Sequence, residues 1–353
     1  MFPYFMVLII ITLIALISKK KRGRLIFSDY IIISILIIFS SIRYMVGTDY
    51  TLYYNLYSRI IDIGPLKAIE YNNVEIGYAI FNYLTYLIFR SRFAIFFTVS
   101  IVIVVCFIKF IRNNSNNFLI SLSFFYCFSF YTNSMNVQRQ YLATSILLLA
   151  VCFYCKRKYF IAIISSVLAI LFHRTAIIFI IVFLIVKKID FNRKIYKILW
   201  CIGLISTLFY EKIVNLLSVI IPKYQLYENK SFDPGIGTYL TSFIFIISAH
   251  YVVKLIRENK LQTSHILFGK LFIYGLPFYL LSIKSFLIMR IAMQYFGVYL
   301  IILLPEFFIT FKTNQRILIE YIYIMTLLVW FVIYLYSQNG VLPYQIIDFS
   351  LYK

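Results

Sequence analysis

Apolar runs long enough to cross a bilayer, parted by short connections that carry the basic residues, repeat from one end of the chain to the other. A span needs roughly 17–25 apolar residues, because in hydrocarbon every backbone N–H and C=O must find its partner within the segment. Such runs lie near 2–18, 25–42, 93–111, 118–134, 140–155, 158–172, 175–186, 194–210, 238–253, 265–282, 286–308 and 317–337. The expected fold is all-α, a single polytopic membrane domain over residues 1–353 with about 12 transmembrane helices. Composition agrees: 13% of residues are charged and 62% hydrophobic, whereas soluble domains carry roughly a quarter charged residues. A formal charge of +21 would raise nucleic acid as a partner in a soluble chain. Here the basic residues sit between apolar runs, so the charge reads as topology and nucleic acid is not expected.

Cytoplasmic flanks of membrane helices accumulate Lys and Arg. With the amino terminus outside, 20 of the 34 basic residues fall in cytoplasmic connections, among them Lys19, Lys20, Lys21, Arg22 and Arg24, and 13 fall outside. Both termini are then extracytoplasmic. This parity requires that Ile76 to Phe89 does not cross, and runs of 10–14 apolar residues are more often re-entrant or interfacial. Residues 43–92 are therefore expected to form one outer-face segment with re-entrant or interfacial helices. A second outer segment, 211–237, reads as loop from Pro222, Pro234, Gly235 and Gly237. The five cysteines, Cys106, Cys127, Cys152, Cys155 and Cys201, lie in apolar runs as packing residues, and Cys152 and Cys155 have no second pair with which to bind zinc. Neither a metal nor a cofactor is expected.

The outer ends of the spans gather ionisable residues: Arg43, Asp49, Glu75, Arg90, Arg92, Arg139, His173, Arg174 and Arg290. Charge at membrane depth is costly and marks function or an interfacial anchor. Gly47 permits a tight exit from the second run, and Thr48 or Asp49 can cap the helix that follows. Tyr50, Tyr53, Tyr54 and Tyr57 then recur at helical spacing on one face, as a membrane-interface belt or a stacking platform for sugar rings. Arg139, between Gln138 and Gln140 at a helix start, suits an anion held by paired N–H bonds. His173, beside Arg174 at a junction with almost no linker, reads as a general base, a substrate ligand or a structural histidine. His250 and His265 read as structural. Arg290 lies about one turn inside an apolar run and calls for an anionic partner: Asp49, Glu75 or a substrate phosphate. The sequence has no Asp-x-Asp, Walker or Gly-x-Ser-x-Gly motif.

These pieces, in order, resemble the EpsG/Wzy-like family of polysaccharide polymerases. The resemblance is carried by Arg43-Tyr-Met-Val-Gly-Thr-Asp-Tyr50 with Tyr53, Glu75-Ile-Gly-Tyr78, Asn136-Val-Gln-Arg139-Gln-x-x-Ala143, Phe172-His173, Arg290 with Tyr295-Phe296, and Leu342-Pro343-Tyr344. It implies a glycosyltransferase of the bacterial cytoplasmic membrane that polymerises polyprenyl-diphosphate-linked oligosaccharide units at the outer face, with a flippase and a chain-length regulator as partners. On that reading Arg43, Arg139 and Arg290, with Arg174 in reserve, hold the diphosphate and converge on one anion site. His173, then Asp49, then Glu75 are the candidate bases. The rival readings are a flippase or transporter of lipid-linked oligosaccharides and, more weakly, a membrane acyltransferase.

Overall fold

The computed structural model describes residues 1–18, 23–72, 74–220, 235–337 and 340–348. It is 82% helical, and among the described residues the one pairing of extended backbone is an isolated bridge between Arg43 and Ile346. Lys19, Lys20, Lys21, Arg22 and Lys353, which weigh in the charge distribution, lie outside the described residues.

Among the described residues, five helices have the length and apolarity of a full span: Ala94–Asn114, Ile236–Arg257, Thr263–Lys284, Phe286–Ile309 and Thr313–Ser337. Phe2–Ile17, Phe27–Ser41, Ile76–Phe89 and Tyr159–Phe172 are apolar but shorter. Several of the expected runs are short or broken as helices, and the breaks have local causes. The run 118–134 is two helices, Phe118–Cys127 and Phe130–Asn136, divided where Ser129 takes a φ of 80° and interrupts the hydrogen-bond ladder. The helix from Phe286 passes through a π-turn at Ala292–Phe296 and a 3-10 turn at Gly297–Tyr299 before resuming at Leu300. The segment 211–237 also departs from a plain loop. Tyr210–Ile220 is helical and Gly235 precedes the helix Ile236–Arg257, while 221–234, with Pro222 and Pro234, lie outside the described residues.

The chain gathers into two compact units, Met1–Ile177 with Leu304–Lys353, and Ile178–Leu303. In the amino-terminal part of the first, ten helices run in order: α1 Phe2–Ile17, α2 Phe27–Ser41, α3 Tyr50–Ile63, α4 Pro65–Asn72, α5 Ile76–Phe89, α6 Ala94–Asn114, α7 Phe118–Cys127, α8 Phe130–Asn136, α9 Gln138–Cys155 and α10 Tyr159–Phe172; the helix Thr313–Ser337 belongs to the same unit. The centre is α9, buried on nearly every side between Gln138 and Cys152 and packed on α6 and α10. That is the fate of a helix apolar all round. At the far end of α6, Arg112 Nε donates to Asp29 Oδ2 at 2.8 Å, a second bond joins the same two groups, and Ser18 Oγ accepts from Arg112 Nη2 at 3.0 Å. Burying both charges is tolerable because the pairing is bidentate and charge-assisted.

In the second unit, Gly203 lets Arg193–Leu208 lie directly on Leu276–Leu281, since a Cβ there would meet Leu280 and the Pro277 backbone. Gly297 does the same for the Phe245 ring. His265 is buried and His250 is within 3.4 Å of the Tyr196 hydroxyl. Cys106, Cys127 and Cys152 are buried packing thiols as expected, but Cys155 and Cys201 are exposed.

Candidate functional site

Helix α5 begins at Ile76, and one residue into it Gly77 touches α10. A Cβ at Gly77 would lie 2.8 Å from the carbonyl oxygen of Leu171. This backbone-to-backbone crossing places Glu75, just before α5, beside His173, just after α10. Helices α9 and α10 pack closely as consecutive neighbours joined by a short turn, so the start of α9, with Arg139, lies at the end of the pair that carries His173.

The three side chains meet at one carboxylate. Glu75 Oε1 is 3.1 Å from His173 Nδ1, and Glu75 Oε2 accepts from Arg139 Nη1 at 2.8 Å. The Glu75 side chain is 8% exposed, against 20% for His173 and 25% for Arg139, so the carboxylate forms the floor and its partners face outward. Burial acts to raise the Glu75 pKa, but the hydrogen bond from His173 and the Arg139 charge outweigh it and bring the group from its ordinary 4.5 to about 2. An ionised carboxylate only accepts, so His173 Nδ1 carries the hydrogen of this bond and, in the neutral ring, Nε2 holds the free lone pair. Glu75 is too weak a base at neutral pH to take a proton itself. So placed, the carboxylate can hold the imidazole in one orientation.

Arg139 also lies 5.8 Å from the centre of the Tyr78 ring, which Tyr53 meets edge-on at 6.2 Å. Its Nε is buried without a hydrogen-bond partner, as are Gln138 Oε1, Gln140 Nε2 and Asn136 Oδ1. Buried polar atoms left unpaired in this way are unusual and costly.

The other sequence-derived candidates distribute unevenly. Arg43 is 1% exposed and finds no carboxylate among its hydrogen-bond partners; its guanidinium donates to the carbonyls of Ser40 and, at 3.1 Å, Met135, and lies 4.9 Å from the Phe96 ring centre. Those carbonyls belong to the last turns of α2 and α8, whose negative dipole ends compensate the cation. Asp49 is the N-cap residue of α3 but makes no side-chain capping bond; it accepts from the Thr48 hydroxyl at 3.4 Å. Arg174 is exposed. Arg290 lies in the second unit, 4.2 Å from the centre of the Phe286 ring.

The tyrosine face turns inward. Tyr50, Tyr53 and Tyr57 are 2%, 3% and 0% exposed. Tyr50 stacks on Phe96 at 4.4 Å, Tyr57 donates to the Ser91 carbonyl at 3.1 Å, and Tyr54 packs at 5.0 Å on Phe93. Three of the four rings read as an interface belt or a sugar platform are therefore buried, Tyr53 against Tyr78 of α5, Tyr50 against Phe96 of α6 and Tyr57 at Ser91 between those helices. Tyr78 and Gly77 belong to the site although the residue-by-residue reading gave them no role. The signal was present, a carboxylate followed two positions later by glycine, the residue a close helix crossing requires.

The sequence model of the EpsG family matches residues 26–346, a stretch that holds all three clustered side chains. No curated protein and no solved structure matches the chain.

Proposed function

The chain belongs to the EpsG family, a family of Wzy-like polysaccharide polymerases, and from that premise we propose that it joins polyprenyl-diphosphate-linked oligosaccharide units into a surface polysaccharide at the outer face of the bacterial cytoplasmic membrane. The observation that carries this reading is the Glu75–His173–Arg139 cluster, which sets an oriented base beside a guanidinium.

In the proposed reaction His173 Nε2 takes the proton of the acceptor hydroxyl while Glu75 holds Nδ1–H. The acceptor oxygen bonds to the anomeric carbon of the donor chain. The bond from that carbon to the diphosphate breaks, and polyprenyl diphosphate leaves with the electron pair. Charge growing on that leaving group is stabilised by fixed cations. Arg139 fits this work as a guanidinium anchored on Glu75 through Nη1, with a quarter of its side chain exposed. Arg174, exposed one residue after His173, is a further diphosphate ligand in this proposal. Arg43 acts instead from behind, by holding helix ends. The cations supply the charge stabilisation, so the proposed reaction is metal-independent.

The reading is tested by supplying purified protein in detergent micelles with lipid-linked units and no gradient. A ladder of lengthened lipid-linked chains is expected. Protein that leaves the units single in micelles but moves them across a vesicle bilayer would be a flippase.

A further inference from the structure

Between α2 and α3 the chain runs through residues 42–47 without regular structure, with φ of 54° at Met45 and 104° at Gly47. Beyond Ile42, whose amide still bonds to Ile38 O, the stretch leaves the helical ladder, and the C-terminal segment supplies acceptors for two of its amides. Tyr44 N donates to Gln345 O at 2.9 Å, Gly47 N to Gly340 O at 2.5 Å, and Ile347 N returns a bond to Ile42 O at 2.8 Å, around the bridge between Arg43 and Ile346. Tyr344 stacks face to face on Phe39 at 4.3 Å and donates to the Phe39 carbonyl, and Tyr4 donates to Val341 O at 3.0 Å. Residues 340–347 thus form a strap across 42–47.

The strapped stretch bears in turn on the turn that carries Arg139. Arg43 Nη2 donates to Met135 O. Gly47 lies so close to Asn136 that a Cβ would overlap its Oδ1. Met135 and Asn136 close α8, and Arg139 stands in the first turn of α9. One set of contacts therefore runs from the strap through residues 42–47 and the α8–α9 turn to Glu75.

We propose that the strap 340–347 is a positioning element of the site: through Arg43 and Gly47 it fixes the turn that aims Arg139 at Glu75. Tyr344 and Gly340 are its positioning residues, remote from the reacting atoms. The kinetic part of this inference rests on the polymerase reading; the structural part does not.

Gly340 has a φ of 84°, and a Cβ there would come within 3.0 Å of Thr48 N, so Gly340→Ala loosens the strap at a defined point. Hydrogen exchange on the full-length protein in detergent is expected to quicken in both 42–47 and 135–139. In the elongation assay, turnover per folded protein should fall about tenfold or more with KM nearly unchanged, since small misplacements of catalytic groups are costly. Adding Arg43→Lys should produce no further loss, because both changes cut one connection. Tyr344→Phe keeps the ring stack and removes one bond, and should shift the same readouts in the same direction by less. Exchange that quickens only in 42–47, exchange unchanged in both variants, normal turnover per folded protein, or losses that multiply in the double variant would each overturn the proposal. Were the wild-type protein to make no polymer, the polymerase reading would fall, and exchange at 135–139 would still decide the strap.

Discussion

Glu75 is the residue whose replacement separates orientation from charge most cleanly. Glu75→Gln keeps the shape but not the ionised acceptor, so the imidazole can settle in the wrong tautomer and Arg139 loses its anchor. A loss of about 10²-fold or more in turnover is expected with protein level held, on the precedent that mis-tautomerised histidines are poor bases. Asp49→Asn, measured alongside, should leave turnover within about twofold, since general-base catalysis alone is worth about 10²–10⁴ and the proposed reaction assigns that work to His173. The pH dependence has a definite sign. Because the folded-state pKa of Glu75 lies below its ordinary value, its contribution to stability is complete above about 4.5 and is lost as pH falls toward about 2. Thermal unfolding from about pH 5 down to about pH 3 should show the wild type losing stability through that window, with Glu75→Gln flatter across it.

At the scale of elements, the site depends on how closely α5 can approach α10. Gly→Ala within a helix ordinarily stabilises by about 0.5–1 kcal/mol. At Gly77 the sign should reverse, because the added Cβ meets backbone that cannot swing aside, at a cost on the order of 1–3 kcal/mol. Gly237→Ala is the matched control, with nothing within 4 Å of its Cβ. Melting temperatures of the two variants in one detergent should move in opposite directions; a Gly77→Ala protein at least as stable as the wild type would mean the crossing is loose. Much of this scale was legible in the sequence. Hydropathy located the apolar helices, and ionisable residues at helix ends pointed to Glu75, Arg139 and His173, because charge near apolar runs demands a reason. Pairing was not legible: nothing in the local pattern tells Glu75 that its partners lie 64 and 98 positions away. The tyrosine face failed for a related reason. Helical spacing gives a stripe, but whether the stripe faces solvent or a neighbouring helix is decided by tertiary packing. The partners of Arg43 were not legible either, because they are backbone carbonyls, invisible to any residue pattern.

At the scale of the whole molecule, the distribution of basic residues is the ground on which we propose that the cluster faces outside. Cysteine at Thr51 should react with an impermeant reagent in intact cells, and cysteine at Lys158 only after the membrane is opened. Cys155 and Cys201 are exposed and must first be replaced by Ser. The reverse labelling pattern would invert the topology and move the site to the cytoplasmic side. The central claim, that this helical membrane protein polymerises lipid-linked units through a histidine held by Glu75, is reached most directly by one comparison. Purified wild-type and His173→Gln proteins, matched for folded amount, are given lipid-linked units without a gradient, and the products are separated by length. Glutamine keeps size and hydrogen bonding but takes no proton at neutral pH, so the account predicts a ladder from the wild type and single units still on their lipid from the variant, about 10²–10⁴-fold slower. A ladder of normal length and rate from His173→Gln would contradict it.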